Sequence, residues 1–229
     1  MFCDTLWKTI QAKGAKLVQG KAIGVARDHD DAKLVGVKLQ DGTIVEGDAV
    51  LFSAGPWTAN IMVGVKYHSV LLPTKETLSQ CVFFSGYGDP EVYTRPDNTA
   101  YCCGFPDPAT KVTEIPGQEE VRPEAVDRIV QAVKAASGGG NALDYTPTLS
   151  QSCYLPTAPD SLPVMGPLSE SAGGGDGCFI ATGHTCWGIL NAPASAESMA
   201  SLIATGKPTS YVDMKPYNPA RFPSLKILE

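Results

Sequence analysis

Apolar positions along this chain follow two rhythms. Leu6, Trp7 and Ile10 recur at helical spacing between Asp4 and Lys13, with Asp4 as N-cap and Gly14 as stop, which predicts a short amphipathic helix. Residues 16–18 and 22–27 predict strands, the polar His29-Asp30-Asp31 a turn, and Val35, Val37 and Leu39 alternate on one face before Asp41-Gly42. The run from Ala49 to Gly55 is continuously apolar and of strand length, the pattern of a strand covered on both faces. Pro56 opens a predicted two-turn helix over 57–63. From Val70 to Gly104, β-branched and aromatic residues alternate with turn formers, which predicts antiparallel strands. Val126, Ile129, Val130 and Val133 define one face of a helix over about 123–136, ended by the triplet Gly138-Gly139-Gly140. Cys178 to Thr182 is another apolar strand, running into the tight loop 183–188. A helix is then predicted over 191–204, with Pro193 in its first turn and Gly206 and Pro208 beyond it. The stretch after Pro208, with Pro216, Pro219 and Pro223, is expected to lie extended on the surface.

Composition narrows the class. With 43% apolar and 18% charged residues the chain is not disordered. A net charge of −6 without basic blocks offers no footprint for nucleic acid or an anionic membrane surface. No apolar run reaches the roughly 18 residues of a spanning helix, and Met1-Phe-Cys-Asp-Thr lacks the order of a signal peptide, so a cytoplasmic protein without a membrane span is expected. Seven cysteines, with no C-x-x-C pair, argue against a metal site or disulfide framework.

The order of segments is more specific than any one of them. A strand run ending in Ser53-Ala54-Gly55-Pro56-Trp57 is followed by the antiparallel stretch, then by Thr157-Ala-Pro-Asp160-Ser-Leu-Pro-Val-Met-Gly166. A strand and Thr182-Gly-His-Thr-Cys-Trp-Gly-Ile-Leu-Asn-Ala-Pro193 complete the series. From about Asp4 to Gly206 this resembles the C-terminal part of the FAD-dependent oxidoreductases of the D-amino-acid oxidase, glycine oxidase and sarcosine oxidase superfamily. The resemblance implies FAD as cofactor, small amines or amino acids as substrates, and hydride transfer from the carbon bearing nitrogen to flavin N5. It places Gly55 where a strand ends beside the dinucleotide and Ala22 near the adenine. Gly183, Gly188, Ile189 and Leu190 are placed at the flavin ring, acting through backbone N–H groups at a helix start. His184 is either polar lining there or an ordinary loop histidine. Cys153 precedes Asp160 by seven residues, as in members that attach flavin through a thioether; a small buried thiol is its plainer reading. Arg95 and Tyr93 fall on the substrate side, Arg95 suited to pairing with a carboxylate, with Tyr101 and His68 as further lining.

The wording of residues 91–96 and 183–188 is most similar to a eukaryotic subgroup of this superfamily, one fungal member of which is associated with endosome-to-Golgi traffic, so an endosomal association joins the cytoplasmic expectation. The superfamily opens with a strand, a G-x-G-x-x-G turn and a helix that hold the pyrophosphate, and the glycine pairs at 86/88, 138/140 and 173/175 do not complete that pattern. The expectation is therefore an α/β (α+β) chain: an incomplete Rossmann-like FAD-binding domain (1–64 and 146–207), an inserted antiparallel-sheet substrate domain (65–145) and a tail (208–229). An N-terminal segment or partner chain would supply the rest. The alternative is a noncatalytic remnant serving as a binding or trafficking module.

Overall fold

The computed structural model describes residues 2–140 and 142–227. Three sheets carry the fold. Strands β1 (Ala22–Arg27), β2 (Leu34–Leu39) and β3 (Ile44–Glu46) form an antiparallel meander. A second sheet has β4 (Val50–Phe52) parallel to β11 (Cys178–Thr182), with β10 (Val164–Pro167) antiparallel on the far side of β11. The third is a five-stranded antiparallel sheet in the order β6-β7-β8-β5-β9, from β5 (Val63–Pro73), β6 (Val82–Phe83), β7 (Glu91–Arg95), β8 (Thr99–Gly104) and β9 (Leu149–Thr157). Because β9 pairs with β5 from Val63↔Thr157 to Leu71↔Leu149, this sheet extends past residue 145.

Period-two burial decides which face of the large sheet is used for packing. Along β5, Gly64, Lys66, His68, Val70 and Leu72 are buried, while the odd-numbered residues other than Ser69 are half-exposed. Helix α2 (Pro123–Ala136) lays Ile129 and Val133 on the even face, against Val70, Leu72, Val92, Ala100 and Cys102. Pro at the first helical position and the left-handed Gly138 after the end explain why its limits match the sequence pattern. The odd face is left open, and it matters below.

A second core lies under the parallel pair, where Val50, Phe52, Val164 and Ile180 pack with Met62 and Leu168. The small meander is tied to it by Arg27, whose Nη2 donates to the carbonyls of Gly174 (2.6 Å) and Asp176 (2.9 Å). Charged donors make these bonds stronger than neutral ones. Arg27→Met should therefore cost about 2 kcal/mol, read as a lowered urea midpoint with unchanged m-value.

Five local expectations are corrected. Residues 16–18 form no strand: Leu17 and Val18 are exposed, and no sheet edge among the described residues receives them. The predicted helix over 57–63 is one 3-10 turn, Gly55–Trp57, because the β-branched Val63 and Val65 are drawn into β5 by pairing with β9. Helix α3 (Gly188–Thr205) begins three residues before the predicted start, taking Pro193 into its interior. The tail is not a surface extension. After two 3-10 turns its end is buried: Leu225 and Ile227 join the second core, and backbone bonds Asn60 N→Lys226 O and Ile227 N→Ala172 O hold it there. Apolar residues after the prolines outweighed the prolines' extended bias. The amphipathic first helix, α1, spans Phe2–Ala12, so Asp4 lies inside its first turn rather than at the N-cap, and Phe2, Leu6 and Ile10 are all exposed.

Candidate functional site

The two parallel strands end side by side, and each is followed by a left-handed glycine: Gly55 (φ +57°) after β4 and Gly183 (φ +79°) after β11. In open α/β sheets the crevice at the carboxyl ends of parallel strands is where nucleotides bind. The two glycines differ in their surroundings. A side chain at Gly183 would sit in ordinary contact with Met62, Leu162 and Val164 at 3.4–3.5 Å, so the positive φ of the turn, not lack of space, favours glycine there. A side chain at Gly55 would meet nothing within 4 Å, so its bare Cα faces open space. The Gly55 carbonyl is fixed from behind by two hydroxyls, Thr58 Oγ1 and Thr182 Oγ1, each donating at 2.7 Å.

From Gly183 the chain passes His184 and a 3-10 turn, Thr185–Trp187, directly into α3. Gly188, Ile189 and Leu190 are thus the first helical residues, whose N–H groups have no intrahelical acceptor and stand at the positive end of the helix dipole. The side chains of Ile189 and Leu190, at 77% and 71% exposure, make no use of the core. These backbone donors with the open Gly55 fit an anionic ring edge, so the residues present suit a flavin.

His184 turns inward, its Nε2 at 3.0 Å from Ser195 Oγ on α3, and burial lowers its pKa from the usual 6.5. That makes it a brace between loop and helix. A histidine whose folded pKa is depressed is protonated more readily in the unfolded chain, so its contribution is complete above about pH 6.5 and is lost as pH falls below it. Thermal melts between pH 7 and 5 should show a smaller acid loss for His184→Gln than for the parent.

The open face of the five-stranded sheet lies next to this loop, with β9 against the Thr185–Trp187 turn. Register puts Tyr67 opposite Cys153, Tyr93 opposite Tyr101, and Glu91 opposite Cys103 on that face. Cys186 reaches it from the loop closely enough to raise the pKa of both Tyr67 and Tyr93, after burial and Glu91 have done most of the raising. The rings of Tyr93 and Tyr101 are 5.9 Å apart, Phe83 meets Tyr93 edge-on at 5.2 Å, and the Arg95 guanidinium stands 5.4 Å over Tyr101. Cys153 is exposed on this face, and its thiol is held above its ordinary pKa by desolvation, with the Glu119 carboxylate adding.

The fold therefore gathers Gly55, Gly183, His184, Gly188, Ile189 and Leu190 at one sheet end, with Cys153, Tyr93 and Arg95 on the adjoining face. Ala22 sits apart, at the start of β1 in the meander. His68 belongs to the other face, which corrects its place as pocket lining: it is 1% exposed and its Nε2 accepts the Arg122 N–H at 3.2 Å. Glu91, Tyr67, Cys103 and Cys186 went unnoticed in the sequence, although Glu91 shares its strand parity with Tyr93 and Arg95. Two concavities of about 570 and 460 Å³ lie elsewhere, one beside Lys134 and Tyr145, the other beneath Phe222. Among the described residues no His, Cys, Asp and Glu cluster suits a metal, and no helix is long and apolar enough to cross a membrane.

A parallel-strand end with an open glycine, followed by a helix start and flanked by an antiparallel sheet, is an arrangement at which nucleotide cofactors bind in α/β folds. Residues 1–202 match the DAO family, FAD dependent oxidoreductase, and the chain belongs to that family. It is 32% identical over 182 residues to TDA3 of Saccharomyces cerevisiae, a proposed oxidoreductase, covering 70% of this chain and 32% of the yeast protein. To glycine oxidase of Pseudomonas aeruginosa it is 27% identical over 215 residues, 88% of this chain and 53% of that enzyme. Among solved structures, glycine oxidase of Geobacillus kaustophilus superposes with a TM-score of 0.72 at 19% identity (91% of this chain, 54% of that one). L-Proline dehydrogenase of P. horikoshii does so with 0.70 at 23% (93% and 56%). The chain thus spans about a third to a half of the length of the relatives it matches.

Proposed function

We propose that this chain forms the flavin-ring and substrate half of an FAD-dependent oxidase or dehydrogenase acting on a small amine or amino-acid-like substrate. The observation that carries the reading is the paired ends of β4 and β11, with Gly55 open and tied to Thr182, and with α3 starting shortly after Gly183 without a side-chain cap. When bound, FAD supplies the redox chemistry, accepting a hydride from the carbon that bears nitrogen. The chain's own part is to orient and to neutralise: the start of α3 stabilises negative charge on the ring edge, and Thr58 and Thr182 hold the Gly55 turn in shape. The sheet face with Tyr67, Tyr93 and Tyr101 walls the substrate side and excludes water. We assign the pyrophosphate contact to a segment or partner outside these 229 residues, since no G-x-G-x-x-G turn is present here.

Titrating the purified chain with FAD, followed by flavin fluorescence and absorbance after desalting, tests this. Weak, saturable binding is expected, weakened further by Gly55→Val, which adds a β-branched side chain at positive φ in the open space. No binding at millimolar FAD, or binding indifferent to Gly55→Val, would count against the site. The link to flavin is proposed to be noncovalent, because the raised Cys153 pKa disfavours the thiolate an attachment needs. Acid should then release all colour; colour retained on the protein and abolished by Cys153→Ser would reverse that statement.

A further inference from the structure

Glu91 is a charged group that the fold leaves without a counter-ion on the substrate face. Its side chain is half-buried on β7, and its Oε2 accepts from Tyr93 Oη at 2.9 Å and Cys103 Sγ at 3.5 Å. Among the described residues it has no Lys, Arg or His within ion-pair distance. Both donors are neutral and stay so: burial and Glu91 itself push the Cys103 thiol up to about 12 and raise Tyr93 above its usual range. A carboxylate has about four acceptor sites, and among the described residues the protein donors to Glu91 both reach Oε2.

The surroundings suit one ligand chemistry. Phe83 is paired directly across from Glu91, Tyr93 donates to its carboxylate and Tyr67 is close enough to feel its charge, and aromatic faces attract cations. Asp89 adds negative potential on the same side, since it too raises the pKa of Tyr67. Arg95, the cation of the same strand, turns its guanidinium over the Tyr101 ring at 5.4 Å and makes no ion pair with Glu91. A carboxylate beside Glu91 is repelled, whereas an ammonium is held by charge and by ring faces together.

We propose that Glu91 is a specificity-determining residue that seats the ammonium of a cationic amine, so that the site takes positively charged amines and turns away those with a carboxylate next to the nitrogen. This rests on reading the open sheet face as the substrate side of the flavin site. The test is isothermal titration of the 229-residue chain with three probes of one shape: benzylammonium, benzyl alcohol and benzoate. Benzylammonium should bind roughly ten-fold or more tightly than benzyl alcohol, as a charge-assisted contact requires, and benzoate least. Glu91→Gln should erase that preference, while Tyr93→Phe, which keeps the carboxylate, should preserve it; unchanged melting curves verify the fold. Equal binding of the three probes, no binding of benzylammonium, or a preference that survives Glu91→Gln overturns the proposal. The FAD titration on the same samples keeps the two readings apart: flavin binding without cation preference sinks Glu91 alone, and cation preference without flavin binding sinks the flavin site alone.

Discussion

Joining the strand–G-x-G-x-x-G–helix segment of a family member ahead of residue 1 is expected to raise FAD affinity by about a thousand-fold or more. That segment would bring some three charge-assisted hydrogen bonds to the pyrophosphate, each worth roughly 1.5–3 kcal/mol. The structure gives a second reason. Strand β4 is hydrogen-bonded to β11 on one side only among the described residues, and Leu51 at its centre is 41% exposed. A parallel strand is ordinarily covered on both faces and paired on both edges, so an added strand beside β4 would order the Gly55 turn while it delivers the phosphate donors. Fluorescence titration of fusion and parent chain under one salt condition measures the ratio. A fusion that folds, by circular dichroism, yet binds FAD no better than the parent would falsify the division of labour between the two halves.

Ile129→Ala should lower stability by about 2–5 kcal/mol, the range for truncating a buried aliphatic side chain whose surroundings cannot collapse. Ile129 is fully buried between α2 and the even face of the large sheet. Its neighbours Val70, Leu72 and Cys102 belong to strands fixed by ladders on both sides, so the cavity stays. The effect reaches the substrate side. Tyr67, Tyr93 and Tyr101 alternate with the very residues that α2 covers, so a loosened α2 lets their common face flex. Chemical denaturation gives the stability change, and a shallower benzylammonium titration in the variant would report the second effect.

The elements that the sequence made legible are those whose signals are local. Helix α2 has its Pro, its one-sided Val and Ile residues and its glycine stop within one segment, and β11 is a bounded apolar run; both came out at the observed limits. The order of such segments carried the family. What stayed hidden depends on partners far along the chain. Residues 57–63 read as helical until β9 claims Val63 and Val65 for β5, and the proline-rich tail read as extended until Leu225 and Ile227 find the second core. Face assignment failed for the same cause: His68 and Tyr67 are neighbours in sequence, and only pairing with β8 and β9 shows that one is interior and the other faces the open side. Glu91 gave no signal of its own, because a lone acidic residue in a strand is ordinary until its partners prove to be two neutral donors.

The pairing of β5 with β9 has a kinetic meaning. Both long ladders of β5 involve distant segments, and the one with β9 spans β6, β7, β8 and α2 in the sequence between them. Such non-local contacts demand loop-closure entropy before they return any stabilisation. The chain should accordingly refold slowly for its size, with α2 and the β7–β8 hairpin gaining protection from hydrogen exchange before β9 does. The wall that carries Cys153 would then be the last part of the substrate face to form.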